Sequence, residues 1–202
     1  MADYKIAAAE TGENEGLYAN NPNDRGGETW AGIARNFWPG SKIFTLIDQI
    51  KKDHLPAGAN VHLRSSWLII NKYAQADPEL KGLVAAFYKI NFWNVNSLDY
   101  VNDQQLANSV YDFGVNSGTH AAGDKLQDAY NNVRGNLPAL INDGDIGSKT
   151  LFAVNSFPAA VLYAEYNRLR ETYYRSLAQN PTQKQFLSSW LSRLKPYRSA
   201  YA

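Results

Sequence analysis

The spacing of apolar residues constrains this chain more than any other feature. They return every three or four positions along nearly its whole length, and strand-like alternation is almost absent. Such a pattern predicts packed helices. The first begins after Asp3, a capable N-cap, and stops near Gly16. Others are predicted over residues 43–52, 61–75, 78–92, 103–116, 121–133, 149–155, 158–177 and 181–194. Asp77, Pro78 and Glu79 form a helix start, and Leu106, Val110, Phe113 and Gly114 make a core stripe that ends at Gly118. Glu165 with Arg168 and Glu171 with Arg175 stand at helix-neighbour spacing. The string NNPNDRGG at 20–27 is so dense in turn formers that it predicts a loop or tight hairpin, and DGDIG at 143–147 breaks the chain again. The fold class is therefore mainly α, with a small β-hairpin or Gly-rich loop after the first helix. With no Gly/Ser linker, the chain reads as a single helical domain with two lobes, and PAGAN at 56–60 marks a soft internal boundary.

Composition narrows the chemistry by exclusion. Against 19 Asp+Glu stand 20 Lys+Arg, with no long basic run, so the charge footprint of nucleic-acid binding is missing. Zero cysteines exclude disulfides, a cysteine nucleophile and thiolate-bound zinc. His54, His62 and His120 fit no metal-ligand spacing, no serine sits in a GxSxG elbow, and an EF-hand starting at Asp143 would need Gly and Glu where Ser148 and Val154 stand. No metal and no cofactor are expected. Apolar stretches such as 82–88 fall far short of the roughly 18 residues of a membrane span, so an integral membrane protein is not expected. Glu10 and Glu13 interrupt the only candidate for a Sec-type signal, which predicts synthesis in the cytoplasm without one. The unusual quantity is the aromatic share, with 5 Trp and 13 Tyr, because rings with a polar tip suit carbohydrate faces as well as cores.

Carboxylates remain as the carriers of chemistry. Glu13 and Glu15 lie near the C-terminal end of the first helix, where the macrodipole disfavours negative charge and nudges a carboxyl toward its proton-holding form. Cleaving a glycosidic bond needs such a donor and usually a second carboxylate that attacks or activates water. Glu15 precedes a hairpin able to present Asp24 and Glu28 across a cleft. On pattern alone, the same three acids read equally as solvated residues of a surface loop.

The string EGLYANNPNDRGGETWAGI at 15–33 resembles the signature of the glycoside hydrolase family 108 N-acetylmuramidases, lysozyme-like proteins whose pattern runs EGGY, NDP, D, GG, T, GI. Its elements here are Glu15-Gly16, Tyr18, Asn21-Pro22, Asp24, Gly26-Gly27, Thr29 and Gly32-Ile33; Leu17 replaces a glycine and Asn21 an aspartate. Downstream, FYKINFW and LANSVYDFGVNSG resemble the family's central helices, with Asp112, Asn116 and Gly118. LQDAYNNV and DGDIGSKTLFAVN resemble its peptidoglycan-binding region of the LQ…DGxxGxxT type, and FLSSWLSRL its close, keeping Phe186, Trp190 and Arg193.

The resemblance implies a lysozyme-like helical fold, with a catalytic lobe over 1–95 and a peptidoglycan-binding lobe over 96–202. It makes Glu15 the catalytic acid. The order also resembles phage-type lysozymes: Glu15, Asp24 nine residues on, and Thr29 five further. Glu15 would protonate the oxygen between N-acetylmuramic acid and N-acetylglucosamine, while Asp24 and Thr29 hold the attacking water. Carboxyl groups about 5 Å apart imply retention and about 6.5–9.5 Å inversion; a loop aspartate with room for water favours inversion. Glu28 is the rival for the base role. Tyr18, Trp30 and Trp93 are expected to stack on sugar rings, with Asp112 and Asn116 on the cleft floor, while Arg168 and Arg193 tie helices together. The implied partner is peptidoglycan, reached by a monomer that acts in the periplasm or cell wall after a holin or a secretion system releases it. The competing reading is a non-catalytic wall-binding or secretion and lysis accessory protein.

Overall fold

The computed structural model describes residues 1–12, 17–22 and 24–198. Among them it is mainly helical, with nine α-helices and a single small antiparallel sheet. By packing, the chain divides into two units: Gly12–Tyr88, and a discontinuous one made of Met1–Thr11 with Lys89–Ala202. These units cut the chain differently from lobes at 1–95 and 96–202, because the first helix packs with the C-terminal part.

In the unit Gly12–Tyr88, β1 (Ala19–Asn20), β2 (Glu28–Trp30) and β3 (Ile33–Ala34) form a meander, Ala19 opposite Thr29 and Trp30 opposite Ile33. The β2–β3 link is only Ala31-Gly32. Both residues take positive φ, 50° and 77°, the requirement of a type I′ turn that matches strand twist. Alanine is strained there, and the Tyr88 hydroxyl holds the turn by donating to the Ala31 carbonyl at 2.8 Å. Three helices follow: α2 (Lys42–His54), α3 (Arg64–Ala74) and α4 (Pro78–Tyr88). Ser41 caps α2, and the Asp77 carboxylate accepts the Leu80 N–H at 3.0 Å above Pro78, as the sequence predicts. Ile43, Phe44, Ile47, Ile70, Leu80 and Val84 close a core between them.

The other unit is built around α5 (Gln104–Ser117), which is buried at every position from Gln104 to Gly114. Around it stand α1 (Tyr4–Thr11), α6 (Thr119–Val133), α7 (Ser148–Asn155), α8 (Ala159–Leu177) and α9 (Leu187–Ser192). Leu106, Val110 and Phe113 meet Ala7, Leu126 and Tyr166 in one core. Such a helix can hold polar residues only if each finds a partner. Gln104 bonds the Asp3 backbone in both directions, and Gln105 bonds Tyr163 and the backbone of Pro196 and Arg198. Asn108 donates to Glu10 at 2.8 Å, and Ser109 to Asn167 at 2.8 Å. Gln104 and Asn108 thus hold the N-terminal segment, and Gln105 and Ser109 hold α8.

Candidate active site

One strand sorts the candidate residues onto two faces. β2 reads Glu28-Thr29-Trp30, and alternation sends Glu28 and Trp30 inward while Thr29 turns outward. Inside, the Glu28 carboxylate accepts the Tyr18 hydroxyl at 2.7 Å and forms ion pairs with Arg35, at 2.6 Å, and with Lys51. Asp48 extends the cluster, 2.7 Å from Arg35 and 2.8 Å from Lys51. Burial, reinforced by the neighbouring carboxylate, pushes the Tyr18 hydroxyl far above the ordinary phenol range. Partial burial would raise the Asp48 carboxyl, but hydrogen bonds from Arg35 and Lys51 outweigh it and hold the group below the ordinary carboxylate range.

Both Glu28 oxygens are engaged by these partners, and the residue is only 8% exposed, which leaves little room for a water beside them. Glu28 therefore reads as the anchor of this sheet. Glu28→Gln is expected to cost about 1–3 kcal/mol of stability, measured by urea unfolding, and to leave the activity of the folded fraction within about threefold of wild type. A large activity loss at unchanged stability would return Glu28 to the chemistry.

On the outer side, Asp24 is exposed in the β1–β2 connection. Its Oδ1 accepts the Gly26 N–H at 2.9 Å, and its carbonyl accepts the Gly27 N–H at 3.0 Å. Gly26 explains how Asp24 and Thr29 come to share a space. A β-carbon placed there would lie 3.4 Å from Asp24 Oδ1 and 3.7 Å from Thr29 Oγ1, and only 2.9 Å from the Ala34 β-carbon. The missing side chain leaves a gap bordered by a carboxylate and a hydroxyl, two groups suited to orienting water. Gly26→Ala should fill it. We expect a rate loss of about tenfold or more in wall hydrolysis, with a stability loss of about 1–3 kcal/mol from the Ala34 contact. Retained activity in the folded fraction would show that the gap is unused.

Glu13, Glu15 and Gly16 lie outside the described residues. Tyr18 is fixed to α3, its N–H donating to the Asn71 side chain at 2.7 Å.

The expectation that Tyr18, Trp30 and Trp93 stack on sugars is corrected by their burial. They are 1%, 4% and 0% exposed, so no ring face is open. Tyr18 and Trp30 sit under the small sheet, because the two share the inward side with Glu28. Trp93 belongs to the unit of α5, where its Nε1 donates to Asp99 at 2.7 Å and its ring meets Tyr4 and Tyr111 edge-on. Asp112 is likewise removed from a cleft floor. Its carboxylate is taken by Arg170 and by Arg193 at 2.7 Å, joining α5, α8 and the end of α9. Asn116 is exposed, with its amide donated back to the Asp112 carbonyl at 2.6 Å. Arg193 does tie elements together, whereas Arg168 pairs with Glu165 on its own helix at 2.7 Å.

Arg170 and the Arg35–Lys51–Asp48 cluster escape a reading by residue type. A signal exists for Arg170: Leu162, Tyr163, Tyr166, Arg170 and Tyr174 form one buried stripe of α8, and a charge in such a stripe requires a buried partner. In the peptidoglycan-region motif, Gln127 is a hub. Its amide donates to Asp143 at 2.7 Å and to the Asp145 carbonyl at 2.9 Å, and its oxygen accepts the Gly144 N–H at 2.8 Å. The motif thus pins the DGDIG turn onto α6. Among the described residues no helix is long and apolar enough to cross a membrane, and no cluster of side chains suits a metal ion.

Comparison with known proteins follows the same division of chemistry. The family described as Glycosyl hydrolase 108 matches residues 8–118, more than half of the chain. A second family, described as "Predicted Peptidoglycan domain", matches residues 122–195. Among solved structures, SagA of Brucella abortus is similar in fold, with a TM-score of 0.53 and 20% identity over 98% of this chain and 97% of that one. No curated protein sequence matches.

Proposed function

Because the chain belongs to the glycosyl hydrolase 108 family and is a peptidoglycan hydrolase, we propose that it is a lysozyme-type N-acetylmuramidase. Glu15 is the general acid, and Asp24 with Thr29 positions the water. The observation that carries this reading is the different company the two candidate acids keep: Asp24 is exposed and borders, with Thr29, the narrow gap left by Gly26, while Glu28 is buried in an ion cluster.

In this reading Glu15 gives its proton to the glycosidic oxygen as the bond to the muramic acid carbon breaks. Asp24 accepts a proton from the water, and the Thr29 hydroxyl, whose own hydrogen goes to the Gly27 carbonyl at 3.3 Å, accepts a hydrogen bond from the same water. Oxygen attacks the oxocarbenium-like carbon from the opposite face, which inverts the anomeric centre. The wall lies outside the membrane, so export through a holin or a secretion system belongs to the proposal, with the protein acting as a monomer.

Digestion of purified peptidoglycan, with the products read by mass spectrometry after borohydride reduction, tests it. Reduced muramic acid ends are expected. Reduced N-acetylglucosamine ends would mean a glucosaminidase, 1,6-anhydro ends would mean transglycosylase chemistry, and binding without cleavage would leave a wall-binding accessory protein.

A further inference from the structure

Tyr18, Trp30 and Trp93 are buried and offer a glycan no platform, but the surface supplies one beside the Asp24 turn. Phe37 is 64% exposed and Trp38 41%. Both follow β3 in a short turn held by backbone bonds: Phe37 and Trp38 each donate to the Ala34 carbonyl at 3.1 Å, and Ser41 donates to the Trp38 carbonyl at 3.1 Å. Trp38 is also steadied by the side chain of Phe87, edge to face with ring centroids 4.8 Å apart. An aromatic ring that is fixed and partly open loses little entropy on binding, which is what distinguishes a subsite from a loose surface residue.

Position identifies the ligand. The 36–38 turn lies at the same end of the meander as the Asp24 turn and is bonded to it. Asn36 donates its N–H to the Gly26 carbonyl at 3.3 Å and its amide to the Arg25 carbonyl at 3.0 Å. Arg25 and Gly26 are the two residues after Asp24, and Asp24 Oδ1 is itself fixed by the Gly26 N–H. A glycan strand seated at Asp24 therefore continues past this turn, and the polymer is a chain of pyranose rings whose C–H faces suit aromatic stacking.

We propose that Phe37 and Trp38 form a stacking subsite for an N-acetylated sugar ring of the glycan strand, next to the Asp24–Thr29 gap. The proposal rests on the muramidase reading of that gap and names the aromatics that hold its substrate. Neither residue touches the reacting atoms, so the effect belongs in binding. The expected signature is a raised KM with kcat little changed.

The test is calorimetric titration of a β-1,4-linked N-acetylglucosamine hexamer into the Glu15→Gln protein, which keeps the probe intact, alongside Phe37→Ser and Trp38→Ala versions of it. Each change is expected to weaken Kd by about fivefold or more, and in the otherwise wild-type enzyme to raise KM for wall fragments with kcat within about twofold. Phe37→Ser removes an exposed ring, so its melting temperature should not move. It decides the matter even if Trp38→Ala destabilises the Phe87 contact. Kd and KM within twofold of the parent in the Phe37→Ser protein would overturn the proposal. So would absence of hexamer binding in a protein whose wild type cleaves peptidoglycan, or a change in oligomeric state in place of a change in Kd. Failure of the muramidase reading shows separately, as wild-type protein that releases no reduced muramic acid.

Discussion

Glu15→Gln is expected to lower the rate of peptidoglycan hydrolysis by about 10²–10⁴-fold while leaving the melting temperature unchanged, because glutamine keeps the shape of the side chain and loses only the proton to donate. The argument is differential. A departing sugar alkoxide is a very poor leaving group at neutral pH, so the donor acts at the transition state, and kcat should fall far more than KM changes. Turbidity loss of purified walls, with reduced ends counted in parallel, measures it. Asp24→Asn should cost about 100-fold in the same assay, since its one remaining side-chain oxygen still accepts a hydrogen bond but no longer takes a proton. Equal rates in the Glu15→Gln and wild-type proteins would remove Glu15 from the chemistry. Equal rates for Asp24→Asn would take Asp24 out of water activation.

The second large effect is on stability. Asp112→Ala is expected to cost about 3–5 kcal/mol, read as a lower urea midpoint, because it strands a guanidinium deep in the core. Arg170 is fully buried, and burial opposes its charge; the Asp112 carboxylate is the main compensation, with Ser109 and Tyr174 adding hydrogen bonds at 2.7 and 3.2 Å. Arg193 loses its partner at the same time. Exposed pairs such as Glu171 with Arg175 should behave quite differently, with losses of at most about 1 kcal/mol. A double change, Asp112→Leu with Arg170→Met, should recover much of the loss, because well-packed apolar side chains replace buried ion pairs at little cost. If Asp112→Ala folded with wild-type stability and a raised KM instead, the residue would belong to substrate binding after all.

The helices were legible because each carries redundant signals. Asp77, Pro78 and the apolar stripe of α4 agree, as do Asp103, whose carboxylate caps α5 on the Leu106 N–H at 2.7 Å, and the glycine after Ser117. The sheet was half legible. The turn formers at 20–27 announce the β1–β2 connection, but β2 and β3 are three and two residues long, too short for a period to register. Without β2 as a strand, nothing says that Glu28 faces away from Thr29, so Glu28 stayed eligible beside Asp24 for one role. The candidate Glu15, Asp24 and Thr29 stood out only through a family pattern. Aromatic residues were the least legible. Trp30 and Trp38 are the same residue type eight positions apart, and only the direction of β2 and the turn after β3 decide which is core and which is surface.

One consequence of the first helix packing with the C-terminal part concerns time. Asp3 is bonded to Gln104, 101 residues later, and α1 has eight residues, fewer than the roughly 12–15 an isolated helix needs to persist in water. At roughly 5–20 residues per second of synthesis, α1 leaves the ribosome about 5–20 s before its partner. The unit Gly12–Tyr88 has its own core and can complete itself in that interval, whereas the unit that holds Arg170 cannot close until α5 and the helices after it recapture α1.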